Sequence, residues 1–330
     1  MPFLKGKQKN FSQYGTNIRG EFMRTFGSDP ELMICKDGKI HSAIGIVKGT
    51  LENKISEKGH QFYFDNVLAE CAIKPSKSKK QAIDNFRECF HIYSRLVKPY
   101  KLAIVASHEF TNAQLDNEYA RTAGCAPDTC AYEMKQKRPP KELIENGNLR
   151  SGGGHIHLGS PTLLGSGPEP LLVVYMMDLL LGVTSVWLDK DPTSMARRQL
   201  YGQAGRYRFK EEYGLEYRPL GNFWLSSPRM VGLIYDLAMR SIDLVENRKA
   251  WTMWDFDIDR LLSGKHLCDA WKCTGYNPKK LCQGINTSNK KMLEEHFEIA
   301  RSLMTVGLRK ELDKMIEAED QNFYSAWGLT

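Results

Sequence analysis

Three residue pairs in this 330-residue chain share one spacing: Asp29 and Glu31, His155 and His157, Glu216 and Arg218. On a β-strand, residues two apart point to the same face. If the three segments are neighbours in one sheet, one face carries three acids, two imidazoles and a guanidinium. Such a face is not a hydrophobic core, and uncompensated charge there is costly. The natural compensation is a bound cation, a bound anionic substrate, or both.

Each pair has a plainer reading when taken alone. Asp29-Pro30-Glu31 also suits a turn or the first turn of a helix. His155 and His157 follow the glycines at 152–154, which admit close backbone approach to a ligand. Two imidazoles on one strand face suit a metal or a phosphate; the alternative is a solvated edge strand. Glu216-Tyr217-Arg218 alone is a cross-strand charge pair. The conjunction of the three carries the functional reading.

Two further features agree with it. Asp65-Asn66 and Glu70 lie in an apolar stretch, and Glu70 is a hard oxygen donor of the kind magnesium favours. Between 197 and 208, Arg197, Arg198, Arg206 and Arg208 are interleaved with glycines and tyrosines. Guanidinium binds phosphate bidentately, although a loop of solvated arginines has the same composition. Cys268, Cys273 and Cys282 form a C-x4-C-x8-C spacing, a weak zinc signal without a C-x-x-C pair. The chain has no G-x-x-x-x-G-K-[ST] loop, no G-x-G-x-x-G and no G-x-S-x-G elbow.

The elements that must position these groups can be read from patterning. Segments 31–40, 43–49 and 61–73 have strand character, with a hairpin turn at Asp37-Gly38. Ile83, Phe86, Phe90, Tyr93 and Val97 recur at helical spacing over 80–98. Strands are expected at 101–110, 152–159 and 213–224, with a loop-rich stretch at 115–150. Helices are expected at 171–188, 230–250 and 290–319. The class is α+β: an antiparallel sheet through residue 225, then a helical region. The expected organisation is a segment 1–26, a catalytic core 27–225 and a helical C-terminal region 226–330 packing on that core.

Composition excludes other classes. Forty-two per cent hydrophobic and 26% charged residues describe an ordinary globular chain. The net charge of +7 suits an anionic substrate without arguing for nucleic acid. Lys74, Lys77, Lys79 and Lys80 read as a solvated loop entering a helix. The run at 171–188 contains Asp178 and follows Pro168 and Pro170, so a buried helix is expected rather than a membrane span. The first residues lack an apolar signal-peptide core, and eight irregularly spaced cysteines read as free thiols in a reducing cytoplasm.

In their order, GSDPEL, an acid-bearing strand ending in Glu70, GGGHIHLG, the arginine cluster and LEYRPLG resemble the glutamine synthetase-like superfamily, which includes glutamate–cysteine ligases. Within it, the chain resembles the carboxylate-amine ligase type 2 family common in tailed phages. The matching motifs run from residue 27 to about 224, and H-x-H and E-x-R are short, so specificity lies in order and spacing. The resemblance implies an antiparallel catalytic sheet with inward-facing acids, flanked by helices. It implies an ATP-dependent ligase that forms an amide through an acyl phosphate, with Mg²⁺ or Mn²⁺ as metal. Glu31 and Glu70 would hold one ion and Asp29, His155 and Glu216 a second; Asp65 is an extra candidate ligand, less well placed by the pattern. His157 would face the substrate or the transferring phosphate. Arg198 and Arg208 would grip phosphates, and Arg218 the phosphate or the substrate carboxylate. Asp29 departs from the family's usual glutamate and is one methylene shorter, which puts ion position or affinity in doubt.

The implied partners are small-molecule or peptide carboxylates and amines, in a host cytoplasm if the gene is a phage's. No membrane is implied, and an oligomer is one role for the helical region, shaping the substrate pocket the other. Two alternatives come from different classes: a zinc hydrolase built on His155 and His157, and a non-catalytic nucleic-acid or virion-associated binding protein.

Overall fold

A computed structural model of the chain describes residues 24–121, 127–138, 140–165, 167–247, 276–319 and 321–330. The expectations for residues 1–23 and for Cys268 and Cys273 lie outside these. The described Cys35, Cys71, Cys89, Cys130 and Cys282 are free thiols.

The protein mixes helices with a large antiparallel sheet. In chain order the strands among the described residues are β1 (Thr25–Ser28), β2 (Glu31–Lys36), β3 (Lys39–His41), β4 (Ile55–Glu57), β5 (His60–Asp65), β6 (Leu68–Ser76), β7 (Lys101–Ala103), β8 (Ser107–Glu109), β9 (Asp128–Cys130), β10 (Lys135–Lys137), β11 (Leu149–Ser151), β12 (Ile156–Gly159), β13 (Arg206–Lys210) and β14 (Gly214–Tyr217). The central order is β13-β14-β12-β1-β6, with β2 continuing beside β6 where β1 ends. Ser28 faces Ile73 and Glu31 faces Glu70, so one register runs through the Asp29-Pro30 break. Proline donates no N–H, and its carbonyl accepts from Cys71 N at 3.2 Å. Asp29 therefore sits in a strand break rather than on a regular strand, yet keeps its two-residue relation to Glu31.

Alternation along the strands divides the faces. Phe26, Ile156, Leu158, Leu215 and Tyr217 are fully buried on one side, against α1 (Lys79–Leu96), the helix Glu169–Leu188 and α8 (Pro228–Glu246). Gly27, His157 and Glu216 alternate with them and turn to the other side. Ser78 caps α1 by accepting from Gln81 N at 3.2 Å, and Ser227 caps α8 by accepting from Met230 N at 3.2 Å. Helix Glu169–Leu188 is long and apolar enough to cross a membrane, and 89% of its apolar window is buried inside the protein. It is a core helix, with a π turn at Asp178–Gly182.

The Asp37-Gly38 hairpin is present, with φ of 51° and 74° at its two central residues, as a type I′ turn requires. Four other expectations need correction. Residues 43–49 form no strand. Gly45 has φ 80°, and the N–H groups of Ile46 and Val47 both return to Ala43 O; the apolar side chains serve burial instead of pairing. Residues 61–73 are two strands, β5 and β6, reversed at Asn66, whose φ is 54° and whose Oδ1 accepts from Val67 N. Residues 101–110 break into two short strands, Lys101–Ala103 and Ser107–Glu109, because Ala106 N is taken by Asp191 and Val105 O by Asn222. The strand expected to 224 ends at Tyr217, just before Pro219.

The helical region also departs from expectation. The run 290–319 is two helices, Lys290–Ser302 and Val306–Glu317, with Thr305 capping the second by accepting from Leu308 N. Helix Pro278–Asn286 precedes them.

Candidate active site

The sheet register brings the three pairs together. His157 stands opposite Gly27 on one side and Glu216 on the other. Arg208 stands opposite Glu216, and Glu31 opposite Glu70. Asp29 lies between both imidazoles: its Oδ1 is 3.1 Å from His155 Nδ1 and 3.0 Å from His157 Nε2. Glu216 Oε1 lies 3.9 Å from His155 Nδ1. Asp29, His155 and Glu216 each offer one donor atom, all within 4.8 Å of one another.

Cations surround Glu216 on the β13 side. Arg218 donates to it, Arg208 Nη1 lies at 3.2 Å and Lys210 Nζ at 2.8 Å. Burial opposes the charge on Glu216, but Arg218 beside it holds the carboxyl down at about 2. Burial likewise opposes ionisation of Asp29, and the two imidazoles hold it well below the usual carboxylate range. Burial works against the His157 imidazolium, and Asp29 more than offsets it, so its pKa is raised.

The β6 side is different. Among the described residues, no lysine or arginine lies within ion-pair distance of Glu31, Asp65 or Glu70. Glu70 accepts from the Tyr63 hydroxyl at 2.6 Å, and Glu31 from Gly153 N at 2.6 Å. Burial, then the charges of Asp29, Glu31 and Asp65, raise the Glu70 pKa well above the ordinary value. Burial and Glu31 push Asp65 up to about 6. Glu31 and Glu70 face each other, but they complete no three-donor cluster among the described residues. A divalent cation fits the charge and hardness of this face, which offers carboxylate oxygens and one imidazole.

Adjacent to these acids is a cavity lined by Glu31, Asp65, His155, Arg197, Arg218 and Tyr201, among others. Arg197 reaches it and Arg198 does not. Arg198 donates to Gly202 O at 2.9 Å and lies near Asp189 and Asp178. The two are neighbours on α7 (Ser194–Leu200) and so point about 100° apart. The arginine stretch is thus a helix and a strand, not a solvated loop.

His157 Nδ1 is 2.5 Å from the Tyr213 hydroxyl and the two rings stack at 5.6 Å, while Nε2 lies 3.0 Å from Asp29 Oδ1 and makes no hydrogen bond among the described residues.

Several residues at the site were not anticipated. Lys210 lies two residues after Arg208 on β13, where the strand period could have suggested it. Tyr213 and Tyr63 carry no such signal. Asp128, which pairs with Arg206 and lies 3.4 Å from Arg218 Nε, comes from the stretch expected to be loop.

Gly152 and Gly154 serve the protein's own packing, whereas Gly153 borders the site, where a Cβ would stand 2.6 Å from His155 Nε2 and 3.0 Å from Arg197 Nη2. A Cβ on Gly152 would stand 2.8 Å from Glu31 O, and one on Gly154 would stand 2.4 Å from Trp224 Nε1 and 2.7 Å from Gly221 O. Trp224 Nε1 in turn donates to Gly154 O at 3.1 Å. Gly154→Ala is expected to destabilise the fold by about 1–3 kcal/mol through overpacking. A denaturant melt checks this, and an unchanged midpoint would contradict the close approach.

Among curated proteins none matches the chain. A solved structure described as a novel glutamine synthase homolog aligns over 96% of this chain and 72% of its own, at 11% identity and a TM-score of 0.35. By sequence, residues 149–256, which carry the glycine triplet, both histidines, the arginine-bearing helix and Glu216-Tyr217-Arg218, match the phage phiEco32-like COOH.NH2 ligase-type 2 family.

Proposed function

We propose that the protein is an ATP-dependent ligase that joins a carboxylate to an amine through an acyl phosphate. One observation carries this reading: buried Glu70 and half-buried Glu31 and Asp65, with no lysine or arginine at ion-pair distance among the described residues, share a sheet face with the cationic group Arg208, Lys210 and Arg218. Metal and polyanion are the two kinds of charge that such a divided face would neutralise together.

Asp29, His155 and Glu216 would hold one divalent ion, and Glu31 and Glu70 with Asp65 a second. Bound Mg²⁺ or Mn²⁺ supplies charge stabilisation at phosphate oxygens. In the reaction, a substrate carboxylate oxygen attacks the terminal phosphorus of ATP and ADP leaves. The amine nitrogen then attacks the acyl carbon; phosphate departs and the amine loses a proton. Arg208, Arg218 and Lys210 are placed to draw anionic oxygens to the β13–β14 side. Asp29 orients both imidazoles, and Tyr213 fixes the ring of His157. Preorganised charge of this kind acts where water is excluded.

The test is nucleotide turnover. Purified protein is incubated with ATP, Mg²⁺ and pools of amino acids, amines and small peptides, and ADP and phosphate are followed. The expected result is ADP release that requires both a carboxylate and an amine. Release that needs neither, or no release from any pool together with no Mg²⁺-dependent ATP binding, would contradict the ligase reading.

A further inference from the structure

Two arginines in the cavity are buried without an ion-pair partner among the described residues. Arg150 and Arg197 are 5% and 2% exposed. Among the described residues, neither has a carboxylate within ion-pair distance; Glu31 and Asp65, in the same cavity, stand farther off. Arg150 donates to Asn66 Oδ1 and to the carbonyls of Gly147, Leu149, Ala120 and Ile144. Arg197 donates to the carbonyls of Gly152, Pro219 and Arg218. Carbonyl dipoles satisfy N–H groups but leave a full positive charge in the interior. Guanidinium does not escape this by losing its proton, and an uncompensated buried charge is costly.

A second observation lies beside them. Ser151 is 7% exposed and lines the same cavity, and its hydroxyl has no hydrogen-bond partner. A buried hydroxyl left unpaired is uncommon. Arg197 uses three of its five N–H donors on carbonyls, so two remain.

We propose that this end of the cavity is an oxyanion site: the Ser151 hydroxyl and the remaining Arg197 N–H groups donate to a carboxylate or phosphate oxygen, and Arg150 supplies charge behind them. The site shares its cavity with Glu31, Asp65 and His155 and so deepens the ligase reading, on which its place in the reaction rests, but binding there needs no metal and no turnover. A ligand carboxylate and a nucleotide phosphate share the chemistry it recognises.

The test is a thermal-shift titration of the whole chain in EDTA, with acetate in one arm and inorganic phosphate in the other, against chloride at equal ionic strength. Wild type should melt higher with at least one of the two. The responding arm identifies the source as carboxylate or phosphate. Ser151→Ala should bind that anion about tenfold more weakly, the usual cost of one hydrogen bond to a charged group. Ser151→Asp, which places a carboxylate among the guanidiniums, should melt higher than wild type without added anion and should not respond to it. A response to neither anion, or an equal response in wild type and both variants, would overturn the site. Because metal is chelated and nothing turns over, the outcome does not depend on whether the protein is a ligase.

Discussion

Glu216→Gln is expected to lower kcat by about 10²–10³ while leaving the chain folded, the scale on which one preorganised electrostatic contact acts. Glu216 is fully buried and receives Arg218, Arg208 and Lys210. It is also one of the three donors that converge with Asp29 and His155. Glutamine keeps the volume and one carbonyl oxygen but removes the charge. Three cations then lose their shared carboxylate, so stability should also fall by about 3 kcal/mol, the lower end for breaking a buried pair. The kinetic effect is therefore measured below the variant's melting transition, confirmed by circular dichroism. Mn²⁺ affinity, followed by electron paramagnetic resonance of the free ion, should drop alongside kcat. A folded variant with kcat within threefold of wild type would remove Glu216 from the reaction.

Asp65→Asn should stabilise the metal-free protein by about 2–3 kcal/mol near neutral pH, the worth of a carboxyl raised from the ordinary 3.8 to about 6. Burial and the neighbouring Glu31 cause that rise. Well below pH 3.8 the carboxyl is protonated in both the folded and the unfolded chain, and the two proteins should be equally stable in this respect. Between pH 4 and 6 the unfolded wild type releases its proton first, so wild-type stability falls relative to the variant. Above pH 6 the difference is constant. Urea unfolding in EDTA at pH 4, 5, 6 and 7 reads this directly, and a difference that does not change with pH would refute the assigned cause. Saturating Mg²⁺ or Mn²⁺ should narrow or reverse the order, because ligand at a hundredfold its Kd adds about 2.7 kcal/mol to the state that binds it.

The convergence was legible from the two-residue spacing, although one member of each pair, Asp29, His155 and Arg218, lies just outside its strand. Asp37-Gly38 announced its hairpin through the only dipeptide chemistry that tolerates two positive φ values cheaply. The second hairpin was hidden because Asn66 reverses the chain with no glycine beside it. Of residues 152–154 only Gly153 borders the site side chains His155 and Arg197; the space beside Gly152 and Gly154 is taken by Glu31 O, Trp224 and Gly221 O, all distant in sequence. Adjacency does not tell which of Arg197 and Arg198 lines the cavity, since one step along a helix turns a side chain through more than a quarter circle. Ser151, Arg150 and Asp128 left no signal, because their meaning lies in which partners they have or lack across the fold.

Diffraction from crystals grown with Mn²⁺ and a non-hydrolysable ATP analogue, at a wavelength where manganese scatters anomalously, tests the central claim most directly. The account predicts an anomalous peak bonded to Asp29, His155 and Glu216, with the analogue's phosphates against the face that carries Arg208 and Arg218. Density for the analogue elsewhere, or no anomalous peak on this face at saturating Mn²⁺, would contradict it.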